Sequence, residues 1–173
     1  NYDYIEEYID GEEYSVEGLI DSHQNFIVFT AKRNYKTKFT FKPYMIEDGC
    51  SMPSGLSENM LEKVKTVCWK LIKLFDIYHT PFKIDLIIKD NIIYVIEIVP
   101  RLSGGRLCSH IITYYYPHFL EQAIKVSAMQ LNFKETTIDA FTHHNYEHIV
   151  QRYFFPKGLP VKNAAKTTTG AIS

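Results

Sequence analysis

Two acidic residues sit where acids are costly. Asp85 lies inside Phe-Lys-Ile-Asp-Leu-Ile-Ile (82–88), and Glu97 inside Tyr-Val-Ile-Glu-Ile-Val (94–99). Both runs are apolar enough to be buried strands, and a buried carboxylate needs a cation or several donors. Two carboxylates about 5 Å apart repel by about 3 kcal/mol at an effective dielectric of 20. A shared divalent cation removes that repulsion, and an all-oxygen donor set favours Mg²⁺. Arg101 or Lys83 could instead pair with the acids in a purely structural network, and spacing alone leaves both readings open.

A second acidic group, Glu6, Glu7, Glu12 and Glu13, brackets Asp10-Gly11. By itself it reads as a solvated edge. His143, His144 and His148 lack the spaced carboxylates or cysteines of a metal site, so we do not read them as ligands. Cys108, near Gly104-Gly105, reads first as a small buried hydrophobe. No Gly-x-Ser-x-Gly nucleophile turn is present.

The elements that must hold these residues follow from pattern. Residues 4–9 and 13–20 read as a hairpin around Asp10-Gly11, and 24–31 as a third strand. Residues 32–56, broken by Pro43, Gly49, Pro53 and Gly55, read as irregular. Ser57 is an N-cap for a helix whose apolar stripe runs from Leu61 to Phe75. Strands follow at 82–88 and 92–99, a helix from Pro117 to Leu131, and a last strand at 147–155. Residues 1–155 are expected to form one subdomain, with 156–173 a tail or the start of a following segment. The class is α+β, with a mainly antiparallel sheet flanked by helices.

One register question decides whether Asp85 and Glu97 can share a cation. A two-residue turn at Asp90-Asn91 pairs Ile88 with Ile93 and sets Asp85 opposite Ile96, leaving Glu97 on the other face. A three-residue connection, or a bulge of the same effect, sets Asp85 across from Glu97.

The run Tyr-Val-Ile-Glu-Ile-Val-Pro-Arg-Leu-Ser-Gly-Gly (94–105) resembles the ATP-grasp signature: a Glu between hydrophobic residues, then Asn-Pro-Arg and a glycine pair. Phe-Lys-Ile-Asp (82–85), twelve residues upstream, resembles the strand with that family's other metal carboxylate. Ile-Glu-Glu-Tyr-Ile-Asp-Gly-Glu-Glu-Tyr-Ser-Val-Glu-Gly (5–18) resembles its adenine-hinge strand and ribose-binding Glu. The group that includes L-amino-acid ligases and carbamoyl-phosphate-synthase-like proteins is the nearest in flavour.

This resemblance implies the C-terminal subdomain of an ATP-grasp fold, with ATP and Mg²⁺ as cofactors. It implies that the Glu6 carbonyl meets the adenine amino group, that Tyr8 and Ile9 complete the hinge, and that Glu13 takes the ribose hydroxyls. Asp85 and Glu97 would hold Mg²⁺. Arg101 would neutralise charge as a carboxylate becomes an acyl phosphate, and Lys83 would add positive charge near the phosphates. Val99 stands where the family has an Asn that offers a metal oxygen.

The implied activity is ATP-driven joining of a carboxylate to an amine or related nucleophile, both small molecules. The lysine-bearing N-terminal portion of the fold would have to come from outside the chain, and the isolated piece is expected to be inactive. The chain opens as if a strand were already under way, which fits an excised domain, a proteolytic product or a split gene. A degenerate module that binds nucleotide or a partner without catalysis is the alternative; an unrelated α+β interaction domain is the third reading.

Bulk composition agrees with a globular chain of one domain. A net charge of −1 and the lack of a Lys/Arg run exclude a dedicated nucleic-acid binder. No stretch reaches the ~18 apolar residues of a membrane span. Three widely spaced cysteines point to a reducing cytoplasm. Homo-oligomerisation is left open.

Overall fold

A computed structural model describes residues 5–35, 47–139 and 147–153 of the 173. Its strands are β1 (Glu12–Ile20), β2 (Phe26–Tyr35), β3 (Glu47–Met52), β4 (Thr80–Lys89), β5 (Ile92–Val99), β6 (Thr137–Ile138) and β7 (Ile149–Arg152). They form one sheet in the order β5-β4-β1-β2-β3-β7, with antiparallel neighbours throughout. The short β6 adds a parallel pairing to β2. The α+β, mainly antiparallel expectation is met.

Alternation divides the central strands between two cores. Val16 and Ile20 of β1, Phe26 and Val28 of β2, and Phe82, Ile84 and Leu86 of β4 point to one face. Helix α1 (Glu58–Leu74) covers it with Val64, Cys68 and Ile72, one turn apart. Ser57 caps the helix as expected, its hydroxyl accepting the Met60 N–H at 3.3 Å. Each fully buried Ile, Leu or Phe here contributes about 2–3 kcal/mol of transfer free energy.

The opposite face is apolar at only one end. Leu19, Ile27, Phe29, Ala31 and Met52 pack there against a π-helical segment (Leu107–Ile112), which runs into the single turn α2 (Thr113–Tyr115), and against α3 (Phe119–Ser127). At the other end this face carries Glu13, Ser15 and Glu17 on β1, Lys83 and Asp85 on β4, and Arg33 on β2.

Some local expectations are corrected. Residues 5–10 form no strand, because β4 and β2 already flank β1 and leave that segment nothing to pair with. Ile5 and Tyr8 are accordingly exposed. The 32–56 stretch is not irregular throughout, since β2 continues to Tyr35 and β3 follows at Glu47. Gly49, read as a breaker, sits inside β3 at φ 123°, where a Cβ would lie 2.0 Å from the Gln151 carbonyl oxygen. Within the described residues the late helix and last strand are shorter than expected, at Phe119–Ser127 and Ile149–Arg152. His143, His144 and the 156–173 tail lie outside the described residues.

Candidate nucleotide and metal site

The hairpin β4–β5 settles the register question. Asp90 and Asn91 form a two-residue turn with φ of 51° and 62°, pairing Lys89 with Ile92 and Ile88 with Ile93. That regular ladder holds through Leu86 and Val95. Ile96 is then left over as a bulge, and Asp85 pairs with Glu97, Ile84 with Ile98, and Lys83 with Val99. The extra residue returns Glu97 to the face of Asp85. The three-residue connection is not used, and the bulge does its work.

The two carboxylates meet at Lys83. Its Nζ lies 2.6 Å from Asp85 Oδ2 and 2.7 Å from Glu97 Oε1. Burial works against the ammonium, but the two acids outweigh it and raise the Lys83 pKa. The hydrogen bond from Lys83 correspondingly holds Glu97 below the usual carboxylate range. Asp85 Oδ2 also takes Arg33 Nη1 at 2.9 Å, and Arg33 Nη2 reaches Glu47 Oε2 at 2.7 Å. Asp85 is buried, whereas the Glu97 side chain is 46% exposed.

Below this layer Glu17 is fully buried at the junction of three segments. Ser15 Oγ lies 2.9 Å from Glu17 Oε1 and 3.1 Å from Asp85 Oδ1. The Ser103 hydroxyl donates to Glu17, its backbone N–H reaches Oε2 at 3.3 Å, and Cys108 Sγ donates to the same oxygen at 3.3 Å. Burial raises the Glu17 pKa against these donors, and burial beside Glu17 pushes the Cys108 thiol up as well. Ser103 follows Arg101 in the turn that leads to Gly104-Gly105. There Gly105 has φ 65°, and a Cβ would meet the Tyr153 hydroxyl at 2.7 Å.

Two cavities open beside the carboxylates. One, of about 270 Å³, is lined by Ser15, Arg33, Lys83, Arg101, Ser103 and Gly104 among others. The other, of about 590 Å³, is lined by Glu6, Tyr8, Ile9, Glu13, Ile87 and the bulged Ile96 among others. Arg33 borders both. Gly11 lets the 5–10 segment lie close to β4, since a Cβ there would fall 2.5 Å from Ile87 Cγ2.

The structure therefore brings Asp85, Glu97, Lys83 and Arg101 to one place, and Glu6, Tyr8, Ile9 and Glu13 to the adjoining one. The Arg101 guanidinium is exposed and donates to the Leu102 carbonyl at 3.0 Å. Sequence reasoning missed Ser15, Glu17, Arg33 and Glu47. The signal for the first two was available, because Glu13, Ser15 and Glu17 alternate onto one face of β1. Arg33 and Glu47 lie in the stretch read as irregular. The donor chemistry fits Mg²⁺: two cross-strand carboxylates already converge on one shared cation. Among the described residues no three His, Cys, Asp or Glu side chains gather as a closed metal cage, so further ligands would be phosphate oxygens and water.

Residues 3–110 match the family model of the ATP-grasp domain, and the chain belongs to that family. Its fold is similar to phosphoribosylglycinamide synthetase from Anaerococcus prevotii, at 20% identity and a TM-score of 0.57, over 72% of this chain and 29% of that one. Biotin carboxylase from Campylobacter jejuni, solved as a β-γ-ATP complex, aligns at 19% identity and a TM-score of 0.58, over 75% of this chain and 28% of that one. The biotin carboxylase domain dimer of the Hydrogenobacter thermophilus 2-oxoglutarate carboxylase was solved with MgADP, ADP and bicarbonate. It aligns at 16% identity and a TM-score of 0.57, over 75% of this chain and 27% of that one. The chain thus spans less than a third of these proteins. No curated protein matches it. No described helix is long and apolar enough to cross a membrane.

Proposed function

We propose that this chain is the nucleotide- and Mg²⁺-binding part of an ATP-dependent ligase that joins a small carboxylate to an amine or related nucleophile through an acyl phosphate. One observation carries the reading. The Asp85–Glu97 pair lies on one sheet face and is bridged by Lys83, which lines a cleft with Arg101; the cavity lined by Glu6, Tyr8, Ile9 and Glu13 shares Arg33 with that cleft. A nucleotide fits this order, with the base against the 6–9 backbone, the ribose at Glu13 and the phosphates at the acids.

Asp85 and Glu97 would hold Mg²⁺, which screens the phosphate charge when bound. Lys83, released from one of its two carboxylates, would turn its ammonium to the phosphate oxygens. The carboxylate oxygen of the first substrate attacks the γ-phosphorus and ADP leaves. The Arg101 guanidinium, permanently charged and forked, would hold the negative charge that builds there. The second substrate then attacks the acyl carbon and phosphate leaves.

Residues 1–155 act as one subdomain in this proposal, and 156–173 lead out of it. The lysines that cover the phosphates would come from another segment of a longer protein, so the chain alone is expected to bind ATP weakly and turn nothing over. Three unpaired, buried cysteines support a cytoplasmic setting.

Val99 favours a second reading, a module that binds nucleotide without catalysis. It pairs with Lys83 at the position where the family has an Asn oxygen. Thermal stabilisation by ATP with and without Mg²⁺ tests the main proposal, because a ligand selective for the native state must raise stability above its Kd. Stabilisation that needs both is expected; none at millimolar Mg²⁺ and ATP would refute it. Turnover by the longer protein separates an enzyme from a binding module.

A further inference from the structure

Ser15 has one hydrogen to donate and two carboxyl groups within reach, Glu17 Oε1 at 2.9 Å and Asp85 Oδ1 at 3.1 Å. If both acids were ionised, one of these contacts would set lone pair against lone pair. Two cations meet Asp85, since its Oδ2 receives both Lys83 and Arg33. The partners of Glu17 are neutral: two serine hydroxyls, one backbone N–H and a thiol. A fully buried carboxylate held by neutral donors loses far more solvation than one beside a cation.

We propose that Glu17 carries its proton at neutral pH and donates it to Ser15 Oγ, leaving the Ser15 hydrogen for Asp85 Oδ1. Every contact in the chain is then donor to acceptor: Glu17 Oε1–H to Ser15, and Ser15 O–H to Asp85. Oε1 also accepts the Ser103 hydroxyl on its free lone pair, and Oε2 accepts from Ser103 N–H and from Cys108. No bond forms or breaks. Burial raises the Glu17 pKa, which agrees in direction. The titratable groups facing it are Lys83 and Asp85 from β4, Cys108 from the π-helical segment and Cys50 from β3.

Glu17 is on this account a positioning residue. It aims a metal carboxylate through Ser15, and it fastens the turn after Arg101 through Ser103. Its neutrality also matters to an incoming polyphosphate. Arg33, Lys83 and Arg101 balance Glu47, Asp85 and Glu97, and an ionised Glu17 would tip the site negative. That last consequence rests on the nucleotide reading; the protonation itself does not.

The test is infrared spectroscopy of the nucleotide-free chain at pH 7. Asp139 is a second buried acid with a raised pKa, so the comparison is made in an Asp139→Asn background. That variant should keep a protonated-carboxyl C=O band, and adding Glu17→Gln should abolish it. Absence of the band from the Asp139→Asn protein overturns the proposal with no need of the second variant. Melting gives an independent readout. Gln offers a neutral N–H donor, so Glu17→Gln should melt near the wild-type temperature and Glu17→Ala several degrees lower. A Glu17→Gln protein as unstable as Glu17→Ala would mean that Ser15 donates to an ionised Glu17. Since no nucleotide is present, this failure is distinct from a failure to bind ATP.

Discussion

Asp85 and Glu97 face each other across β4 and β5 because Ile96 is left out of the pairing between them. Their shared face makes them a pair, but their burial makes them unequal. Asp85→Asn should lower stability by about 1.5–3 kcal/mol, because two largely buried cations, Lys83 and Arg33, each lose a charged acceptor. Glu97→Gln, at a half-exposed position, should change it by about 1 kcal/mol or less. Both should abolish stabilisation by ATP that depends on Mg²⁺. Retention of that effect in either variant would remove it from the metal site.

Arg101 makes a different prediction. Its guanidinium contacts only the neighbouring Leu102 carbonyl among the described bonds, which leaves it available to a developing oxyanion. In the longer ligase proposed above, Arg101→Lys should cut kcat far more than it raises KM for ATP, as expected of an interaction made in the transition state. Steady-state kinetics with kcat unchanged would reduce Arg101 to a cleft-lining residue.

Asp139 predicts a pH dependence of stability. It accepts the Thr30 N–H at 2.7 Å and the Thr30 hydroxyl in a buried site, where burial raises its pKa from 3.8 to about 7. A folded pKa above the unfolded one means that the native state binds more protons over that window. The contribution is complete below about pH 4 and disappears as pH rises through about 7. Wild-type melting temperature should therefore decline across this range. Asp139→Asn should reduce the decline, leaving the slope of the same sign that Glu17 contributes. Parallel melting curves for the two proteins would show that Asp139 does not titrate there.

The β4–β5 turn offers a test of stability alone. Asp90 and Asn91 both have positive φ, a conformation in which glycine avoids the Cβ clash. Asn91→Gly converts the turn to Asp-Gly, a favoured two-residue hairpin, and should stabilise by about 0.5 kcal/mol. Denaturant melts would show it as a raised midpoint; a lowered midpoint would mean that the Asn91 side chain makes a contact worth keeping.

Much of this was legible in the chain. Apolar runs at 82–88 and 92–99 marked two strands, though the second, read as buried, is a largely exposed edge strand, and the Ser57 cap with its stripe marked α1. The carboxylate pair could be named but not placed. Periodicity and the Asp-Asn turn together put Asp85 and Glu97 on opposite faces, and only a bulge, invisible to alternation, reconciles them. The 5–10 segment has the composition of a strand but no neighbour to pair with, and pairing is a property of topology. Glu17 was hidden for another reason: in Glu-Tyr-Ser-Val-Glu-Gly it looks like any edge acid, and its burial depends on Ser103 and Cys108, about ninety residues away.

The Ile96 bulge has a consequence for how these molecules meet one another. Among the described residues β5 is outermost in the sheet, and Ile92, Val95 and Ile96 on it are exposed. A straight outer strand of that composition would offer an unbroken row of N–H and C=O groups to any passing chain, the template for sheet-to-sheet aggregation. The bulge interrupts the row and increases the local twist, so a second strand cannot run flush along it. The residue that turns Glu97 toward Asp85 also makes this edge a poorer template for a second strand.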